Sequence, residues 1–340
     1  MNYFSNHVAR TFGRLALVLG VVAALAQPAH AQEVAVVYDM GGKFDRSFNE
    51  GIYNGAKRFA EETGVKLVEY EVTNESQREQ ALRRMAERGD TDIVLGVGFA
   101  QGPPLEKVAK EFPDKKFAII DMVVDLPNVQ SIVFKEHEGS FLVGMAAAIA
   151  SEGKPVGFVG GMDIPLIRKF ACGYRQGAKY VDPDIEVFEN MTGTTPAAWN
   201  DPARGGELAK SQFDRGAEVV YAAAGGTGLG VYQAAKDNGK LAIGVDSNQN
   251  YIHPGTMLTS MLKRVDVAAY NTFQSVMNDT WSPGINVLGL AEEGVGMAID
   301  EHNWPMLTPE MVNAVNSASI GILDGRINVT DYMANNSCDG

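Results

Sequence analysis

The sequence predicts an α/β protein of two Rossmann-like lobes, each a parallel sheet covered by helices. Two observations carry that expectation. Apolar strand-like runs alternate with amphipathic helical stretches along almost the whole chain, the pattern of right-handed βαβ units. The alternation also runs twice, in two series of similar rhythm with no low-complexity linker between them, which favours two lobes over one wide sheet.

In the first series VAVVY (34–38) precedes a helix from about Phe48 to Thr63, with Gly64 as its stop signal. KLVEYEV (66–72), the helix SQREQALRRMAERG and DIVLGVG (92–98) follow; PLEKVAKEF then leads to KFAIID (116–121) and VQSIVF (129–134). A helix over Ser140–Ser151 opens the second series, whose strands are PVGFVGG (155–161), IEVFENM (185–191), AEVVYAAAG (217–225) and LAIGVD (241–246). Open α/β sheets bind ligands beyond the carboxyl ends of their strands, so the facing strand ends define a cleft.

Bulk properties narrow the function. Arg10 and Arg14 precede LALVLGVVAALA, a run short for a bilayer span, and Ala29-His30-Ala31 follows it. Residues 1–31 are therefore expected to be a secretory signal peptide, cleaved near Ala31/Gln32 and leaving a periplasmic protein. No cysteine follows the apolar run, which argues against a lipid anchor. Cleavage there would take the net charge from −13 to −15, a poor match to nucleic acid or an anionic membrane. Cys172 and Cys338 make no metal signature; a disulfide and two separate thiols both stand open.

No catalytic constellation emerges. AAAGGTGLGVYQAAK imitates a dinucleotide fingerprint, with Asp246 at the end of the next strand, but Val231 stands where the pattern wants glycine and the third glycine is Gly230. His137, His253 and His302 are isolated, with no zinc spacing, and GxSxG and P-loop motifs are absent. His137, between Glu136 and Glu138, reads as a hydrogen-bonding residue between lobes. Neither a metal nor a cofactor is expected, and the protein is not expected to be an enzyme.

Binding has more to rest on. The stretch YDMGGKFDRSFNEG crowds polar and aromatic side chains where the first strand should stop. Asp39, Asp121 and Asp246 terminate three strands, while Phe48 and Asn49 open the first helix. Singly, each acid reads as an ordinary strand-end or capping aspartate. Together with nearby rings they suit a ligand that offers hydroxyl donors and a flat face.

DMGGKFDRSFNEG resembles the DxGxxxDxSFN opening of the basic membrane protein family, the PnrA-like nucleoside-binding components of ABC transporters. AAGGTGLGV, IGVDSNQ and LTSMLKRVDVA resemble its other signature segments in the same order, so the likeness covers residues 32 to about 300. It implies a type I periplasmic-binding-protein fold with a three-strand hinge. The N-terminal lobe would comprise 32–134 plus 260–284, and the C-terminal lobe 135–259 plus 285–340.

It further implies a purine nucleoside held by rings on the base and acids on the ribose, with an inner-membrane ABC permease as partner and a monomeric protein. Residue by residue, it assigns Phe48, Asn49, Asp121, Gly226, Asp246 and Lys263 to the ligand, with Asp39 as an added contact. Phe170 and Trp199 are either the remaining aromatic walls or, respectively, helix core and a loop anchor. TGTTPAAWND is longer than the family's usual segment there. A sugar or other small polar solute on the same fold, a secreted Rossmann-like enzyme and a surface adhesin are the alternatives.

Overall fold

The computed structural model describes residues 33–338, so the expected leader over 1–31 lies outside the described residues. The elements are β1 (Glu33–Tyr38), α1 (Phe48–Thr63), β2 (Lys66–Glu71), α2 (Gln77–Ala86), β3 (Thr91–Val97), α3 (Gly102–Glu111), β4 (Lys116–Ile120), β5 (Val129–Phe134) and α4 (Glu136–Ser151). There follow β6 (Val156–Met162), α5 (Pro165–Val181), β7 (Val187–Gly193), α6 (Pro202–Asp214), β8 (Val219–Ala223), α7 (Gly228–Asp237) and β9 (Leu241–Asp246). The chain ends with β10 (Met257–Lys263), α8 (Val265–Met277), β11 (Gly284–Leu288), β12 (Val295–Met297), α9 (Pro309–Leu323) and α10 (Tyr332–Asn335).

These strands form two six-stranded sheets, in the orders β11-β5-β4-β3-β1-β2 and β12-β10-β9-β8-β6-β7. Every pairing is parallel except β10 with β12. β1 lies inside its sheet with helices on both faces, so all of EVAVVY is buried; β2, at the edge, is not. Gly64 ends α1 in the left-handed conformation (φ 75°) and donates its N–H to Ala60 O, as its place in the sequence suggests.

Some boundaries differ from expectation. α4 starts at Glu136, not Ser140, because the chain enters the helix directly after β5, with Glu138 N–H already bonded to Lys135 O. β7 sits two residues later than expected, paired with β6 from Val187 to Gly193. Residues 260–263 pair within the second sheet, and 285–288 within the first. The chain therefore crosses between sheets at Lys135, at Arg264 and over 289–294, beside the expected 260 and 284. Backbone bonds lace these crossings together: Lys135 N–H donates to Leu288 O at 3.0 Å and Arg264 N–H to Gly294 O at 2.8 Å.

The second lobe is clasped by α4 and α5. A Cβ at Gly144, Gly173 or Gly177 would fall 2.1, 2.3 or 1.9 Å from a backbone oxygen of the facing helix, so only glycine allows this approach. Cys172 on α5 forms a disulfide with Cys338, closing a loop with a sequence separation of 166. Gln176, one turn on, donates to Thr330 O at 3.0 Å and accepts from Thr330 N at 2.8 Å. The C-terminal segment is thus strapped across α5.

Candidate functional site

The carboxyl ends of β1, β3, β4, β8, β9 and β10 converge on one cavity, partly open to solvent. Of the residues expected at a ligand site, Asp39, Phe48, Asn49, Asp121, Phe170, Trp199, Asp246 and Lys263 line it. Gly226 does not: it is buried behind the wall, and Ala224 and Gly225 form the lining instead. The glycine-rich turn mainly serves packing. A Cβ on Gly230 would lie 1.7 Å from Pro202 O at the start of α6, and one on Gly205 2.5 Å from Thr227 O.

Asp45, which sequence reasoning passed over, organises the entrance. Its carboxylate accepts from the backbone N–H of Ser47 (2.8 Å), Asn49 (3.0 Å) and Glu50 (3.1 Å), capping α1 from two residues before the helix-flanking Ser47. Burial pushes its carboxyl up to about 7 despite those donors. The signal was present in the spacing of Asp45 from Phe48 and Asn49 within DRSFN. Fixing the first turn aims Phe48 and Asn49 at the cavity. Asn49 Nδ2 donates to Gly42 O at 3.1 Å, while its buried Oδ1 has no partner in the protein.

The three strand-end acids differ in occupation. Asp39 Oδ1 is committed to Arg78, 3.2 Å from Nε and 3.0 Å from Nη2, and to the N–H of Met40. Asp121 and Asp246 both hold positive φ, 71° and 63°, a strained choice for non-glycine residues. Asp246 Oδ2 accepts from Ser47 Oγ of the opposite lobe. Asp121 Oδ2 accepts from Lys263 Nζ at 2.7 Å, leaving Oδ1 buried and unpartnered. Burial raises both acids, Asp121 to about 6, against the pull of Lys263.

Lys263 is 2 % exposed and shared between Asp121 and Glu136 Oε1, the latter 3.0 Å away. Burial alone would lower it, but Asp121, Glu136 and Asp246 hold its ammonium well above the ordinary lysine value. It also sits 5.1–5.5 Å from the ring centroids of Phe48, Phe134 and Phe170. The cavity's lysine is thus spent on neighbouring carboxylates.

The walls are apolar. Phe170, on α5, is buried and faces the cavity. Trp199 ends a 3-10 turn (Pro196–Trp199); its ring lies on Gly161, where a Cβ would fall 2.2 Å from Cζ3. Phe99, Leu166, Ile167 and Met40 add to the lining and carried no distinguishing signal in sequence. The lobes touch around the cavity: Ser247 Oγ donates to Ser47 O at 3.1 Å and Gln249 Nε2 to Arg46 O at 2.8 Å. His137 is not between the lobes; its Nδ1 lies 3.9 Å from Asp331 in the C-terminal strap.

A family described as ABC transporter substrate-binding protein, PnrA-like, matches residues 32–332. The chain belongs to that family. This PnrA-like protein is 39 % identical over 281 residues to an uncharacterised lipoprotein of Pyrococcus horikoshii, covering 78 % of this chain and 68 % of that one. It is 31 % identical over 319 residues to the ABC transporter nucleoside-binding protein BmpA of Lactococcus lactis, covering 87 % and 88 %.

Among solved structures, a solute-binding protein of an ABC transporter system from Aeropyrum pernix K1 superposes with a TM-score of 0.83 at 30 % identity, over 91 % of this chain and 95 % of that one. One from Conexibacter woesei, at 22 % identity and a TM-score of 0.68, shares the fold. The PnrA-like protein is a substrate-binding component of an ABC transporter, with two α/β lobes of the type I fold. Among its described residues, no helix is long and apolar enough to cross a membrane.

Proposed function

We propose that the protein captures a purine nucleoside between its lobes and hands it to the permease of an ABC importer, acting as an exported, periplasmic monomer. One combination carries the reading: aromatic walls from Phe48, Phe170 and Trp199 enclose a cavity also lined by Asn49 and Asp121, each of which keeps a buried acceptor oxygen with no partner in the protein. The rings provide a slot for a flat base, and the acids accept from ribose hydroxyls. A relative named as a nucleoside-binding protein supports it. In this reading Asp39, committed to Arg78, shapes the floor, and Asp246 accepts from the base edge or ribose.

The test sets nucleoside against sugar. Stacking of a base on a protein aromatic is worth about 1–3 kcal/mol by alanine substitution. Calorimetry with guanosine and ribose, on wild type and Phe48→Ala, is expected to show strong guanosine binding that the substitution erodes, and feeble ribose binding that it barely alters. Equal affinity for both ligands in the wild type would overturn the nucleoside reading. Native mass spectrometry of the purified protein would reveal a ligand carried through purification.

A further inference from the structure

A row of buried charges runs from the cavity to the C-terminus. Lys263 joins Asp121 (2.7 Å) to Glu136 (3.0 Å), and Glu136 Oε2 lies 3.0 Å from Lys169 Nζ. Lys169 also donates to Phe134 O at 2.7 Å and lies 3.4 Å from Asp331 Oδ2. The signs alternate along the row. The side chains of Asp121, Lys263, Glu136 and Lys169 are at most 8 % exposed; that of Asp331, at the far end, is 33 % exposed.

Asp331 sits on the strap and is fixed on both sides. Gln176 grips the backbone of Thr330 before it, and the disulfide to Cys172 anchors Cys338 after it. Lys169, Cys172 and Gln176 are spaced three and four apart, one stripe of α5, so a single helix face carries the strap. The residue after Lys169 is Phe170, a wall of the cavity.

We propose that the strap is a positioning element of the ligand cleft: Asp331, clamped to α5, orients Lys169 and, through Glu136, the Lys263–Asp121 pair that faces the ligand. The choice of probe below rests on the nucleoside reading; the coupling itself does not. Without the Asp331 charge, Lys169 turns wholly to Glu136 and weakens the hold of Glu136 on Lys263. Lys263 then draws Asp121 towards itself and away from the ligand.

The experiment uses the full mature chain, its disulfide intact, with guanosine as probe. Asp331→Asn is expected to weaken binding about fivefold, and Asp331→Glu to restore it to within about twofold, a range typical of residues that act through a network. Cys172→Ser combined with Cys338→Ser is expected to weaken binding in the same direction. In ligand-free protein, ¹⁵N spectra of the lysine ammonium groups are expected to show Asp331→Asn shifting Lys263 as well as Lys169.

Unchanged guanosine affinity in Asp331→Asn, or equal loss in the Asn and Glu variants, would overturn the proposal. Unchanged affinity in the double serine variant would remove the disulfide from the device. If wild type fails to bind guanosine, the nucleoside reading falls and the ammonium spectra decide alone. Movement of the Lys263 signal then supports the strap, and movement confined to Lys169 refutes it.

Discussion

Lys263→Met isolates the buried ammonium, because methionine keeps much of the unbranched stem while removing the charge. The wild-type side chain is 2 % exposed, 2.7 Å from Asp121 and 3.0 Å from Glu136. Removing one partner of a buried ion pair costs about 3–5 kcal/mol, since the other charge is left uncompensated. Glu136 keeps Lys169 at 3.0 Å, so the lower end, about 3 kcal/mol, is expected. That is a sizeable share of the roughly 5–15 kcal/mol that holds a domain folded.

The penalty carries a pH signature. Asp121 titrates at about 6 in the folded protein against 3.8 for the free group, raised first by burial and held down by Lys263. Between those values the folded state binds a proton that the unfolded state has lost, so this group's contribution to stability falls as pH rises through the window. Without Lys263 the folded value climbs and the window extends upward. Urea denaturation followed by circular dichroism should therefore show a larger loss at about pH 8 than at about pH 5. A midpoint equal to wild type at the higher pH, or the same loss at both, would refute the reasoning.

Asp246→Ala should weaken nucleoside binding at least about tenfold with an unchanged far-UV spectrum, because bonds to charged groups are worth about 1.5–3 kcal/mol; wild-type affinity would remove Asp246 from the site. Gly161→Ala places a Cβ 2.2 Å from the Trp199 ring, so tryptophan emission should shift and affinity fall, and unaltered emission would show that the ring does not rest there. Asp45→Ala should cost about 1–2 kcal/mol by uncapping α1, with calorimetry detecting a parallel loss of affinity as Phe48 and Asn49 lose their aim. Nucleoside affinity should decline as pH falls through about 6, where Asp121 takes up a proton and loses acceptor capacity; an affinity flat across that range would argue against Asp121 as a ligand contact.

The alternating strands and helices were legible because βαβ units write a long period into the chain: VAVVY, IVLGV (93–97) and FAII (117–120) are apolar runs, as strands covered on both faces must be. The strand-end acids and the Phe48–Asn49 pair were legible for a related reason, since topology sends the carboxyl ends of parallel strands to one side. What sequence could not reveal depends on neighbours far along the chain. Gly226 and Gly225 read alike in a glycine run, yet only Gly225 lines the cavity. His137, between Glu136 and Glu138, read as a hydrogen-bonding residue between lobes, yet its Nδ1 lies 3.9 Å from Asp331 in the C-terminal strap. Ile167 and Leu166 line the cavity as ordinary aliphatic residues on a helix, with no signature to separate them from core.

Asp121 and Asp246 end their strands in left-handed backbone, where an aspartate is tolerated and glycine is at ease. Glycine at 246 would relieve backbone strain and also remove a buried carboxylate whose ionised form is disfavoured there, whereas glycine at 121 would leave the buried Lys263 without its 2.7 Å partner. A population of variants sorted for thermal resistance alone would therefore be expected to drift to glycine at 246 while keeping Asp121 beside its lysine. Sorting on retained ligand instead would preserve Asp246, and the difference between the two harvests would measure how much folding stability this cleft forgoes at that position to keep its grip.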